Sequence, residues 1–494
     1  MAAFLALLPI FVLLLCMIAL RWTASSSGMA GAATAIGVAI LAFGYGAGGM
    51  DLAGPLFEAV FASATILWIV FPALAIHEVQ TRSGASACIG RWLATISDKP
   101  VVLVLILAWF FALLLEGAAG FGTPMALIAP MLVGLGFSPQ RSLILALVGH
   151  AAGVSFGAVG IPMVPLLEAQ AVDPRKLSLA IMLLHAALSW ALVLVVFRLA
   201  ATKGLTGSWI LVPLAAVSYL LPALGLAWLV GPELPTLGGA LIGGVIFVAL
   251  VKWKWPTGSS PPAATRDSVF AAILPYALVL LAIVASRTLP PLSASLQSVV
   301  VEWNLAARFS GSISPLYHPG TMLMLAFAGA VILRPATRGV ILPSLRAAAL
   351  RLPSVALALV SVLLLSRIMI HSGMIDALAS AAAAVLGSAW PAAVPLVGAL
   401  GSFITGSATA SNILFGGFQV AAADASGLTP LLGLAGQGFG AAIGNVIAPH
   451  NIVAGAATVG LVGREGAVLR ATLPVCLAYA SMGGLLLLAV AAFW

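Results

Sequence analysis

The sequence predicts an all-α polytopic membrane protein with about 12 transmembrane helices and two re-entrant hairpins in an inverted-topology repeat. Three observations predict it. Hydrophobic residues make up 62% of the chain and charged residues 7%, against about 25% charged in a soluble domain. Two stretches, 116–162 and 401–451, are apolar yet broken by glycine and proline. Broken backbone survives at membrane depth only when it is buried in protein or lines a wet cavity. The two stretches also match each other. Gly149, Gly153, Gly157 and Pro162 fall on Gly436, Gly440, Gly444 and Pro449 with one constant offset and no gap. Gly120 falls on Gly406 with nearly the same offset, Gly136 and Pro139 match Gly427 and Pro430 after a small insertion, and Ser83-Gly84 matches Ser372-Gly373. Interrupted segments paired between two halves of a chain point to a transporter's substrate site.

Taken in order, the first span is residues 4–20. No basic residue precedes it and Arg21 follows it, so it reads as a retained helix and not a signal peptide. Spans at 30–45 and 57–76 come next, then a polar loop with Arg82, Arg91 and Lys99. Residues 101–133 form the first hairpin, because the arm after Glu116-Gly-Ala-Ala-Gly-Phe-Gly-Thr-Pro is far short of the roughly 20 residues a crossing needs. A span at 143–161 follows, unwound near Gly157, and another at 177–197. Residues 201–268 hold two spans without a twin, 209–230 and 237–251, and a Pro/Ser/Thr-rich linker from Lys252. The second repeat, 269–494, has spans at 269–286, 321–333 and 354–370, a hairpin at 391–423, and spans at 431–447 and 471–493. The first repeat is residues 1–200.

Charge supports this order. With both termini outside, sixteen of the 21 Lys and Arg residues fall in inside loops, as cytoplasmic loops require. The same assignment opens the first hairpin inward and the second outward. The net charge of +8 is thereby explained by topology and implies a lipid bilayer, not nucleic acid.

Chemistry concentrates at the hairpin tips. Thr123 is a good N-cap and Pro124 a good first helical residue. Ser407, Thr409, Ser411 and Asn412 can cap the matching arm. Two helix N-termini then meet near the midplane, each offering free N–H groups and partial positive charge to an anion. Gly120, Gly122 and Gly406 let backbone approach that anion closely. Tight small-residue packing is the plainer reading of the same residue types. Glu116, at the first tip, is the best-placed intramembrane acid. A carboxyl in apolar surroundings is cheaper protonated than charged, which suits a proton carrier; a carboxylate fixing its own turn is the alternative. His150 is a second candidate for substrate contact or proton transfer. Gln437, its counterpart in the repeat, and Asn445 and His450, at the second break, complete the predicted binding set.

Other classes fit poorly. No metal-ligand spacing, nucleophile–base pair or cofactor motif is visible, so neither enzyme, metal nor cofactor is expected. Channels repeat by rotation around a pore, whereas inverted hairpins serve alternating access.

At these residues the chain resembles the lactate permeases. The resemblance rests on EGAAGFGTP from Glu116, SFGAVGIP from Ser155, GSxxxGSxTxSN from Gly401 and GLVGREG from Gly460, and it covers most of the chain. It implies a proton symporter of the bacterial inner membrane for 2-hydroxy monocarboxylates such as lactate and glycolate. The chain departs from that family's pattern at four positions. Ala408 stands where Asp is usual, Asn445 for Lys, His450 for Gln, and His150 for Asn. A sodium-coupled carrier of another small organic anion is the alternative these departures keep open.

Overall fold

The fold is described by a computed structural model, which covers all residues except 1, 19, 21, 47, 95, 98, 121–122, 202–208, 256–262, 462–463 and 493–494. Helices α1 (Ala2–Ile18) and α2 (Ala24–Ala42) pack together and precede the matched part of the first repeat. That repeat runs through α3 (Gly49–Arg82), the short α4 (Ala85–Ala94), the hairpin arms α5 (Pro100–Ala119) and α6 (Thr123–Gly134), α7 (Pro139–Gly149), α8 (Val164–Ala169) and α9 (Pro174–Ala200). Helices α10 (Leu211–Leu229), α11 (Pro235–Lys254), α12 (Ala263–Thr288) and α13 (Pro290–Gln297) intervene. Then come strands β1 (Val301–Leu305) and β2 (Phe309–Ile313), and α14 (Pro319–Leu333). The matched part of the second repeat has α15 (Arg338–His371), α16 (Met374–Leu386), hairpin arms α17 (Trp390–Thr405) and α18 (Ala408–Ala425), α19 (Pro430–Gly444), α20 (Pro449–Thr458) and α21 (Glu465–Ala491).

The two repeats agree element by element. Each opens with a helix of 34 residues and closes with one of 27. Each turns out of its long helix at a left-handed glycine, Gly84 (φ 73°) and Gly373 (φ 78°). The match of Gly136 with Gly427 has the same cause, both having positive φ (91° and 69°).

Twelve helical segments among the described residues are long and apolar enough to cross a membrane. The number equals the expectation but the membership differs. Pro100–Ala119 and Met374–Thr405 qualify, although they contain hairpin arms, while Ala2–Leu13 and Pro319–Leu333 are shorter apolar helices. In the first hairpin only the second arm, with 12 residues, is too short to span. The first arm is sheathed in protein: residues 101–119 are all buried. That burial tolerates the π-helical stretch Leu105–Phe111, whose widened turns would be costly against lipid.

A two-stranded antiparallel hairpin, β1–β2, was not expected. Its turn uses Ala306 and Ala307, both at positive φ (56° and 54°), without the Asn-Gly or Asp-Gly signature of such turns. It docks on the start of α3. Phe309 is fully buried and fills the space a side chain at Gly54 would occupy, and Arg308 pairs with Asp51 at 2.7 Å.

The two 34-residue helices, α3 and α15, pack against each other and are bridged toward both ends. Glu58 meets His371 at 2.8 Å, and Glu78 meets Arg351 at 2.8 Å. Between these bridges, Ile66 and Val70 of α3 and Ser354 to Val362 of α15 form one wall of a cavity.

Candidate functional site

The cavity has a volume of about 330 Å³. The tips of both hairpins and the breaks of both interrupted spans close around it. Glu116 and Gly120 come from the first tip, Thr405 to Ala410 from the second, Gly157 to Pro162 from the first break, and Asn445, His450 and Asn451 from the second.

The first break is a run of left-handed backbone. After α7 the chain passes through a 3₁₀ stretch, Ala151–Phe156. Ala158 (φ 43°), Val159 (φ 56°) and Gly160 (φ 85°) then kink it. For a β-branched residue such as Val159 this is a true outlier. Such strain, about 1–3 kcal/mol per residue, persists only where the surroundings hold it and is concentrated at functional sites. The unwinding expected near Gly157 lies here.

Glu116 sits in the last turn of α5 and is 6% exposed. Among the described residues its carboxyl has no hydrogen-bond or salt-bridge partner. It is pressed against the first break: a Cβ on Gly157 would lie 2.4 Å from its Oε1. Gly120 closes the tip at φ 58°, ψ −141°, a region essentially reserved for glycine.

At the second tip, Gly406 is left-handed (φ 73°), and Ser407 is the N-cap of α18, its Oγ accepting from the Ala410 amide at 3.4 Å. The first-turn amides of α18 have no intrahelical partner. The first turn of α20 brings His450 and Asn451 to the same cavity. Two helix N-termini with hydroxyl, amide and imidazole groups therefore surround a space whose lining contains no Lys or Arg among the described residues.

The predicted residues separate into two groups. Glu116, Gly120, Ser407, Thr409, Asn445 and His450 line the cavity. Ser411, Asn412 and Gln437 do not; they form a buried polar network. Ser411 Oγ donates to the Gly398 carbonyl (2.8 Å), Asn412 Nδ2 to the Pro162 carbonyl (2.7 Å), and Gln437 Nε2 to Ser411 Oγ (3.1 Å) and Asn412 Oδ1 (3.2 Å). This network ties the second hairpin to α19 and to the first break. Ser411 and Asn412 point there because Thr409 and Ile413, one turn apart, hold the cavity face of α18.

His150 is likewise placed away from the cavity. It is buried at the end of α7, where Nδ1 donates to the Ala146 carbonyl at 2.6 Å. Gly122 lies outside the described residues. Thr123 is the first helical residue of α6, one position inside the N-cap place the sequence predicts for it, and only its backbone is described.

Sequence reasoning missed Thr405 and Asn451. Asn451 follows the Pro449 break directly, so its position beside His450 was the available signal; its Nδ2 donates to the Asn445 carbonyl at 3.1 Å. The glycine stripe of the second broken span serves packing. Cβ atoms on Gly440 and Gly444 would lie 2.1 and 2.3 Å from the carbonyl oxygens of Pro395 and Ala399 on α17. The small-residue reading is right for that stripe.

Behind the first break, His185 is fully paired. Ser155 Oγ donates to the Gly438 carbonyl (3.0 Å), so His185 Nε2–H donates to Ser155 Oγ (2.9 Å), and Nδ1 accepts from Tyr479 (2.9 Å). This fixes the unwound segment against α9, α19 and α21.

A largely apolar cavity whose polar groups sit at opposed helix breaks, inside a bundle of membrane-crossing helices, is the arrangement of a membrane transporter. The comparisons narrow the class. The model of the L-lactate permease family matches residues 2–493, and the chain belongs to that family. It is 30% identical over 438 residues to an L-lactate permease of Streptococcus iniae, covering 87% of this chain and 92% of the other. It is 27% identical over 542 residues to the glycolate permease GlcA of Escherichia coli K12, covering 99% and 95%. Among solved structures, the Alcanivorax borkumensis YdaH transporter aligns with a TM-score of 0.49 at 15% identity, over 90% of this chain and 88% of that one. The Neisseria gonorrhoeae MtrF structure aligns at 0.47 and 15%, over 90% and 84%. Of the four departures noted in the sequence, Ala408, Asn445 and His450 line the cavity and His150 does not.

Proposed function

We propose that this chain is a proton symporter for small 2-hydroxy monocarboxylates, such as lactate or glycolate, in the bacterial cytoplasmic membrane. The supporting observation is the pairing, in one cavity, of a buried carboxyl with a helix N-terminus, the carboxyl having no partner and the lining no cationic side chain among the described residues. The substrate carboxylate sits at the start of α18, where amides and the helix dipole favour an anion. Ser407, Thr409, His450 and Asn451 supply hydrogen bonds to its carboxylate and hydroxyl. Glu116 holds the co-transported proton.

The charge balance follows. An anion entering a cavity that already contains an ionised Glu116 places two negative charges in a low-dielectric space. Protonating Glu116 removes that repulsion, so proton and substrate each strengthen the binding of the other, as linkage requires. The loaded cavity then carries one anion and one proton. The two hairpins enter from opposite sides, the first from inside and the second from outside, with both chain termini outside.

Uptake into vesicles of purified protein tests this. With labelled lactate and glycolate, an inward proton gradient should drive accumulation at fixed sodium. Accumulation that follows only a sodium gradient, or that prefers dicarboxylates or sulfonates, would replace the proposal with the sodium-coupled alternative.

A further inference from the structure

A second cavity, of about 270 Å³, lies away from the substrate site. It is a groove between α4, α5, α11 and α12, and every residue lining it is apolar. Its back wall is Phe110, Phe111 and Leu114 of the first hairpin arm, and its sides are Trp92 of α4 and Gly244 and Val248 of α11. One end is charged. Both walls run toward Trp255, whose ring carries Lys99 at 4.8 Å and Lys254 at 5.5 Å. Lys254 lies within two turns of Val248, and Lys99 about two turns before Ile106, the last groove residue of α5 at that end. Among the described residues neither ammonium has a carboxylate partner within salt-bridge distance.

We propose that this groove binds one anionic phospholipid. An acyl chain fills the apolar slot, and the headgroup phosphate lies between Lys99 and Lys254, above Trp255. A slot lined only by apolar side chains has nothing to offer a polar solute, and two cations without a carboxylate partner among the described residues suit a lipid with a negative headgroup. An indole at that level is the usual marker of the lipid–water boundary. The bound chain packs on the arm that carries Glu116 two residues beyond Leu114, so it supports the position of the hairpin tip.

The test is native mass spectrometry of the full-length protein with phosphatidylglycerol, phosphatidylcholine or glycerol phosphate. One phosphatidylglycerol should stay bound, in preference to phosphatidylcholine, and glycerol phosphate should not bind. Lys99→Ala with Lys254→Ala, at one half-buried and one exposed position, should weaken phosphatidylglycerol on the order of tenfold or more, at roughly 1 kcal/mol per lysine, with an unchanged melting temperature as the folding control. Gly244→Phe should displace it, because a side chain there grows into the groove beside Phe110, 3.6 Å from the new Cβ. Equal retention of both lipids, unchanged binding in the double lysine variant, or a dimer that Gly244→Phe dissociates would overturn the proposal.

Discussion

Gly157→Ala isolates the position of one carboxyl. The backbone of Gly157, at φ −63° and ψ 155°, is one that alanine adopts freely, so the substitution does not strain the chain. Its cost falls on Glu116. The new Cβ would lie 2.4 Å from Oε1 and 3.3 Å from Cδ. Restoring ordinary contact moves the carboxyl by about 1 Å, and a displacement of that size costs roughly a hundredfold in a step that depends on placement. That corresponds to about 2.7 kcal/mol. Proton-driven uptake in proteoliposomes should therefore fall by about two orders of magnitude, while thermal stability changes by no more than about 1 kcal/mol. Gly134→Ala serves as the control, since open space surrounds that position and alanine only improves helix propensity. If Gly157→Ala transports within about twofold of the unaltered protein, the carboxyl's position does not matter and the reasoning fails.

Three further outcomes are expected. Gln437→Leu removes the partner of Gln419, Ser411 and Asn412 at once; stability in detergent should drop by about 1–3 kcal/mol, with little change in substrate KM. Arg287→Leu leaves Glu233, to which it donates at 2.7 and 3.1 Å, as a buried charge without its partner. That should cost about 3–5 kcal/mol, seen as a lowered melting temperature, and adding Glu233→Gln should recover part of it. Gly120→Ala forces a side chain into backbone that only glycine tolerates and should lower both stability and uptake, by about 1–3 kcal/mol in the former; an unaltered melting temperature would show that the tip relaxes.

The repeat was legible in the sequence because its signals are glycines that no other residue replaces, for two reasons. Gly84 and Gly373, and Gly120 and Gly406, are glycines for conformation, whereas Gly149 and Gly440 are glycines because a helix backbone packs against them. The location of the site at the two tips was legible for the first of these reasons. Which polar residues face the cavity was not. Ser407 to Asn412 is a cluster in sequence, but a helix turns about 100° per residue, so Thr409 faces the cavity and Ser411 the packing network. His150 looked exposed to function because a lone intramembrane histidine is costly; the cost is partly met by the Ala146 carbonyl one turn back, a local bond that spacing alone does not announce. The β-hairpin escaped notice because an Ala-Ala turn carries no turn signature. The wall formed by α15 against α3 depends on a contact between residues nearly three hundred positions apart, which periodicity within one helix does not reveal.

The proposed proton carrier is Glu116. The most direct test compares the unaltered protein with Glu116→Gln in vesicles, using labelled lactate under an imposed proton gradient and, separately, exchange at equal pH. Glutamine mimics the protonated acid in shape and charge. Glu116→Gln should retain exchange, lose accumulation against a gradient, and show a flat pH dependence. Accumulation by Glu116→Gln when only a proton gradient is supplied would contradict the proposal.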